Sequence, residues 1–337
     1  MKKVIALGSL VLMMGLLPAA DFPDREISNG KLKVAIFLPD ANRGFYRATR
    51  FDWSGVIHRL TYEGHEFYGP WFQSVDPAVH DFVYKGADIV SSPCTAMTGP
   101  ADEFTPLGWD DAKPDGTFVK IGVGVLRKPD TDKYDNFRLY EIADSGKWTV
   151  NPAGEFIDFS QEVNDPLSGY GYHYRKTVRL VDGKAEMLLQ HSLRNTGRRP
   201  IRTRVYNHNF LVLDGKPPGA GLTITVPFPI QTKQDNRLAE VRGNQIIYKQ
   251  ALANEDIVAM PVRGFGNSAN DNEIRIDNST LGAGMRITGD RPLSSEALWS
   301  IRAVVAVEPF VSIAIEPSQE FTWSSTYRYY TLPAGRK

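Results

Sequence analysis

Two residues in this chain are well suited to moving protons, and both sit toward the ends of strand-like runs. His208 stands in Tyr206-Asn207-His208-Asn209-Phe210. An imidazole releases and recovers a proton near neutral pH, which is what a general acid must do. The spacing also fits a plainer histidine that hydrogen-bonds the backbone at a strand end. Toward the C-terminus, Trp299-Ser300-Ile301-Arg302-Ala303-Val304-Val305-Ala306-Val307-Glu308 closes an apolar run on a carboxylate. A carboxylate in that position is partly desolvated, which raises its pKa and improves it as a proton acceptor.

Other catalytic chemistries lack their residues. The chain has no Gly-x-x-x-x-Gly-Lys phosphate loop, no Gly-x-Ser-x-Gly elbow and no His-Glu-x-x-His zinc motif. Its six histidines and single cysteine have no zinc-ligand spacing, so no obligatory metal and no cofactor are expected. Cys94 has no internal partner for a disulfide and reads as a buried, inert thiol.

The 337 residues balance 39 Lys and Arg against 39 Asp and Glu. A nucleic-acid or anionic-membrane partner calls for a basic excess, so neither is expected. The N-terminus reads Lys2-Lys3, an apolar run over 4–17, then Pro18-Ala19-Ala20 before Asp21. That is the pattern of a secretory signal peptide over 1–20, too short to span a bilayer. No Cys follows it to take a lipid anchor. The mature protein, 21–337, is expected to be soluble, periplasmic or secreted, and a single domain.

The elements that must position these residues are strands. Runs over 32–38, 56–62, 118–126, 172–180, 185–193, 201–213, 222–225, 301–315 and 321–332 are rich in Val, Ile, Thr, Tyr or Phe. Gly, Pro, Asn or Asp mark most of the breaks between them. Val181-Asp182-Gly183-Lys184 reads as a tight hairpin turn. With the next turn at Asn195-Thr196-Gly197, the region from Tyr172 to the His208 segment is expected to form a three-stranded antiparallel meander. No long 3.6-residue apolar period survives after the leader, so helices should be few and short. The Pro-, Gly- and Asp-rich stretch over 91–135 is expected to supply one wall of a pocket.

Met187-Leu188-Leu189-Gln190-His191-Ser192-Leu193-Arg194-Asn195-Thr196-Gly197-Arg198-Arg199-Pro200, followed by Tyr206-Asn207-His208-Asn209-Phe210, resembles the central motif of aldose 1-epimerases, or galactose mutarotases. There a strand ending in a Leu-x-Asn-Thr-Gly turn precedes a strand leading to Asn-His-x-x-Phe. The resemblance implies an all-β fold, a large antiparallel β-sandwich of the supersandwich type. It gives His208 the role of acid toward a pyranose ring oxygen, with Asn207 and Asn209 as neighbours in the pocket. Trp299 to Glu308 is similar to the family strand that ends in the general base acting on the anomeric hydroxyl, which makes Glu308 the candidate base. Its rival, Glu316, lies in a sequence similar to the family's closing turn, where Glu residues are mostly solvated.

A looser similarity covers Gly99-Pro100-Ala101-Asp102-Glu103-Phe104, a region that borders the sugar pocket in the family. The His-Gly-Gly sequence that many members carry there is absent. Glu103 and His173 are candidates to bind sugar hydroxyls in its place. Arg47, Arg50 and Trp53 form a further candidate subsite, with guanidinium forks for hydroxyls or a carboxylate and an indole face for a sugar ring. A surface Arg50–Asp52 pair with Trp53 in the core is the plainer alternative. The expected function is therefore an exported aldose-1-epimerase-type protein acting on a mono- or oligosaccharide. The alternative is a non-epimerase carbohydrate-binding module or an accessory protein of polysaccharide degradation.

Overall fold

The structure is a computed structural model that describes residues 22–333, so the expected signal peptide lies outside the described residues. Helix is confined there to two single 3₁₀ turns, Leu213–Gly215 and Ala269–Asp271. Everything else that is regular is β, as the β-branched and aromatic runs imply.

Two antiparallel sheets carry the architecture. The larger has ten strands, with Gly171–Leu180, Glu186–Asn195 and Glu320–Thr331 adjacent near its middle. The smaller has five, in the order Ile257–Pro261, Ser295–Ile301, Val304–Ile315, Ile201–Phe210, Gly99–Phe104. Their inner faces meet in a shared core, where Val305, Val307 and Leu298 of the small sheet join Met187, Leu189, Tyr327 and Tyr329 of the large one. This is a β-sandwich.

The expected meander is corrected by this arrangement. Gly171–Leu180 does pair with Glu186–Asn195 through the Asp-Gly turn. Ile201–Phe210, however, leaves that sheet and pairs with Val304–Ile315 and Gly99–Phe104. Glu186–Asn195 takes Glu320–Thr331 as its other neighbour. The corner is made by Asn195, whose Nδ2 donates to Arg199 O at 2.8 Å and to Ile315 O at 3.1 Å, tying the turn to the opposite sheet. Local turn chemistry cannot distinguish a hairpin from such a crossover, because both need the same turn residues.

The crossing gives the Ile201–Phe210 strand two different surroundings. Val205, Asn207 and Asn209 face the interior between the sheets, and Arg204, Tyr206 and His208 face the other way. That outer face is roofed by loops. Phe51, Trp71, Trp109 and Phe118 from the first 120 residues share an aromatic cluster with Phe210. The neighbouring Gly99–Phe104 strand begins at a glycine with φ +72°, where a Cβ would lie 2.6 Å from Ile57 O. Only glycine fits that approach.

Between the sheets lies a polar network. Lys176 Nζ is 2.7 Å from Asp102 Oδ2 and 3.4 Å from Asp52 Oδ2, and none of the three is exposed by more than 2% at its side chain. His191 Nε2 approaches Asp102 Oδ2 at 3.0 Å. Burial alone would raise the Asp102 carboxyl, but Lys176 and His191 hold it well below the usual carboxylate range. These pairs lock the Gly99–Phe104 strand against the large sheet.

Candidate active site

Register decides what meets on the outer face. Tyr206 stands opposite Phe310, and Leu211 bridges to Val305, which brings His208 opposite Glu308. Tyr206 also stands opposite Glu103, and His208 opposite Ala101. His208 Nε2 lies 3.0 Å from Glu308 Oε1, with both side chains largely buried.

The surroundings of the two groups differ. His208 stacks on Phe210 with ring centres 3.7 Å apart, and Trp299 and Phe51 meet it edge-on. Its Nδ1 is buried with no hydrogen-bond partner among the described residues. Burial pushes its pKa well below the ordinary value, and the nearby Arg50 charge acts in the same direction. Burial raises the Glu308 carboxyl to about 7, with Arg50 opposing the rise and Glu103 adding to it. The pair therefore favours the neutral forms, held together by one proton between Nε2 and Oε1.

Glu103 and Arg50 lie beside the pair. Arg50 Nε donates to Glu103 Oε2 at 2.7 Å, and its Nη2 donates to Tyr206 Oη at 3.0 Å. Tyr206 in turn donates to Glu103 Oε2, and Lys120 Nζ approaches Glu103 Oε1 at 3.4 Å. Burial would raise Glu103, but the two cations keep its carboxyl below the usual range. Glu103, Tyr206, Glu308, Phe310, Arg204 and Tyr134 wall a cavity of about 280 Å³. That is near the lower end of small-molecule sites, which run to roughly 300–1,000 Å³. Glu308 reaches this cavity, and His208 stands behind it.

Five residues expected at the pocket lie elsewhere. Asn207 and Asn209 point into the sandwich, where Tyr327 Oη donates to Asn207 Oδ1 at 3.1 Å and to Asn209 Oδ1 at 2.8 Å. They brace the strand from behind because strand neighbours alternate faces. His173 alternates in the same way with buried Tyr172 and Tyr174, so it lies on the outer face of the ten-stranded sheet, in a polar groove with Lys147, Glu162 and Arg194. Arg47 is exposed, donates to Asn42 O at 2.7 Å and lines a separate apolar hollow with Phe45 and Leu139. Trp53 is core: its Nε1 donates to Ala48 O at 2.8 Å, and its ring lies parallel to Trp148.

Tyr206, Arg204, Phe310, Lys120 and Tyr134 were not among the expected site residues. Counting back by twos from His208 and forward by two from Glu308 reaches Tyr206, Arg204 and Phe310. Lys120 and Tyr134 lie in the 91–135 stretch expected to form a pocket wall, which it does here through Glu103 and Tyr134, but no spacing singles them out within it. Among the described residues, no three His, Cys, Asp or Glu side chains converge where a metal ion could be held.

Together the fold and this face define a class: a β-sandwich with a carboxylate–imidazole pair on the outer side of its smaller sheet. Solved structures give the fold a name. The chain superposes on a galactose mutarotase-related enzyme from Lactobacillus acidophilus with a TM-score of 0.53, at 13% identity over 93% of this chain and 99% of that one. It superposes equally on the GalM/aldose epimerase homologue from C. elegans, with a TM-score of 0.53 at 14% identity over 93% and 100% of the two chains. A galactose mutarotase-like protein from Lactobacillus casei gives 0.50 at 11% identity over 91% and 100%. No protein-family model and no curated protein sequence matches the chain. The protein has the galactose mutarotase-like fold.

Proposed function

We propose that this protein binds an aldose in the Glu103–Tyr206–Glu308 cavity and interconverts its anomers by acid/base ring opening. The observation that carries the reading is the 3.0 Å contact between His208 and Glu308 at the wall of a cavity of monosaccharide size. The proton shared by the pair first crosses from Glu308 to His208 Nε2. The Glu308 carboxylate then takes the proton of the anomeric hydroxyl, the His208 imidazolium gives its proton to the ring oxygen, and the C1–O5 bond breaks. The open aldehyde rotates about C1–C2 and closes again with both transfers reversed. Each proton returns to its donor, so the cycle needs no cofactor. With a single proton between two groups, transfer within the pair sets which group is the acid when the sugar arrives.

A second reading has its own support. His208 stands behind Glu308 rather than on the cavity wall, and the His-Gly-Gly sequence is missing. Both favour a carbohydrate-binding protein without turnover, exported to the periplasm or beyond by the leader over 1–20. Polarimetry on freshly dissolved α-glucose and α-galactose separates the two readings. Epimerase action gives a protein-dependent rate that disappears in Glu308→Gln. No rate above buffer, together with a rise in melting temperature on adding sugar, leaves the binding reading alone.

A further inference from the structure

The outer face of the small sheet forms a ladder whose rungs follow from the strand register. The innermost rung holds Ala101, His208 and Glu308, the next holds Glu103, Tyr206 and Phe310, and the third holds Thr105, Arg204 and Ser312. Successive rungs are two residues apart, or about 7 Å.

Arg204 is the unusual member. It is exposed, it lines the cavity, and among the described residues its guanidinium has no carboxylate or hydrogen-bond partner. Its backbone is fixed, with the amide donating to Thr105 Oγ1 at 3.0 Å and the carbonyl accepting from Thr105 N at 3.0 Å. The guanidinium carbon sits 4.7 Å above the Phe310 ring centre, so the charge leans toward the middle rung, about one rung from Glu308.

With the cations behind Glu103 counted, positive charge exceeds negative around this cavity. Glu103 is already shared by Arg50 and Lys120, and Glu308, with its carboxyl raised to about 7, is only partly ionised at neutral pH. Arg50 and Lys120 stand behind Glu103 and do not line the cavity, so among the described residues Arg204 is the one cation on its wall. The whole chain is neutral, so this surplus is local and belongs to the pocket.

We infer that the pocket selects an aldose bearing a carboxylate, a uronic acid, whose anionic end is held by Arg204 while its anomeric end meets Glu308. This rests on the sugar reading above and names its substrate class. A planar guanidinium held against a ring presents the fork that a carboxylate accepts in two parallel hydrogen bonds. The Asn136 side chain, on the same wall and with no hydrogen-bond partner among the described residues, offers an amide donor beside it. One unneutralised guanidinium matches a single negative charge, whereas a phosphate dianion asks for more donors than this rim provides.

The test compares D-glucuronate, D-glucose and D-glucose 6-phosphate by polarimetry and by isothermal titration calorimetry. The expected result is a preference for glucuronate over glucose of about tenfold in kcat/KM and in Kd. In Arg204→Gln that ratio falls to near one, and Arg204→Lys, which keeps the charge without the fork, retains part of it. A ratio near one in the native protein, or an unaltered ratio in Arg204→Gln, overturns the inference. A larger gain for the phosphate than for the uronate overturns the choice of carboxylate. If calorimetry gives the Arg204-dependent preference while no sugar is turned over, only the ring-opening reading falls.

Discussion

His208 Nε2 and Glu308 Oε1 sit 3.0 Å apart because two neighbouring strands hold residues 208 and 308 in register, without help from any loop. Geometry set by a backbone ladder does not relax when one side chain is changed. Replacing Glu308 by Gln or His208 by Ala should therefore abolish acid/base action cleanly, lowering kcat/KM by roughly 10²–10⁴-fold. Melting curves should show that both variants remain folded, and a variant that keeps its rate loses its assigned role.

The pH profile follows from the raised Glu308 carboxyl. The working pair needs its one shared proton, which is lost as the Glu308 carboxyl titrates, so the rate should fall as pH rises and be half-lost near 7. Arg50 holds that value down, so Arg50→Gln should move the midpoint to higher pH. Stopped-flow polarimetry between pH 5 and pH 9 measures both, and a midpoint in the ordinary carboxylate range would contradict the burial argument.

A second buried carboxylate, Glu296, has a different consequence. Both of its oxygens are buried without a partner among the described residues, and burial raises its carboxyl to about 8. The folded state then binds more protons than the unfolded state from the ordinary carboxylate range up to about 8. Stability is accordingly full at acid pH and falls as pH rises through that window. Glu296→Gln should flatten the fall and add on the order of 3 kcal/mol above pH 8. Urea titrations at pH 5 and pH 9 give the comparison, and equal slopes in the two proteins would refute it.

Lys176 is the keystone of the buried network. Changing it to Met leaves Asp52 and Asp102 facing each other with only His191 beside Asp102, which should cost about 3–5 kcal/mol. Calorimetry should show a large drop in melting temperature. A change of under about 1 kcal/mol would mean that water or a neighbouring cation replaces the ammonium.

Much of this was legible in the sequence, for reasons that differ by residue. The β-rich runs announced the fold, since β-branched and aromatic residues fit a pleated surface. His208 stood out through the motif Tyr206-Asn207-His208-Asn209-Phe210 and its similarity to the aldose 1-epimerase motif, and Glu308 because it ends an apolar run similar to the family's base-bearing strand. Asn207, Asn209 and His173 were misassigned although strand alternation alone sends them to the face opposite their neighbours. Trp53 was ambiguous because an aromatic ring serves a core and a sugar face equally well. Arg50 and Glu103 are brought together from 53 residues apart, and the crossover of the Ile201–Phe210 strand joins partners over 100 residues away. No local pattern encodes such pairings.

The ladder on the small sheet also makes this site intolerant of frame errors. A single-residue deletion in the Ile201–Phe210 strand upstream of His208 would turn Asn207 and Asn209 outward and drive the histidine into the sandwich against Tyr327. A two-residue change would keep the faces but carry the imidazole about 7 Å along the strand, a full rung from Glu308. The spacing of the pair is quantised by the pleat, so variation in length is open to the surface turns and closed to the strands between them.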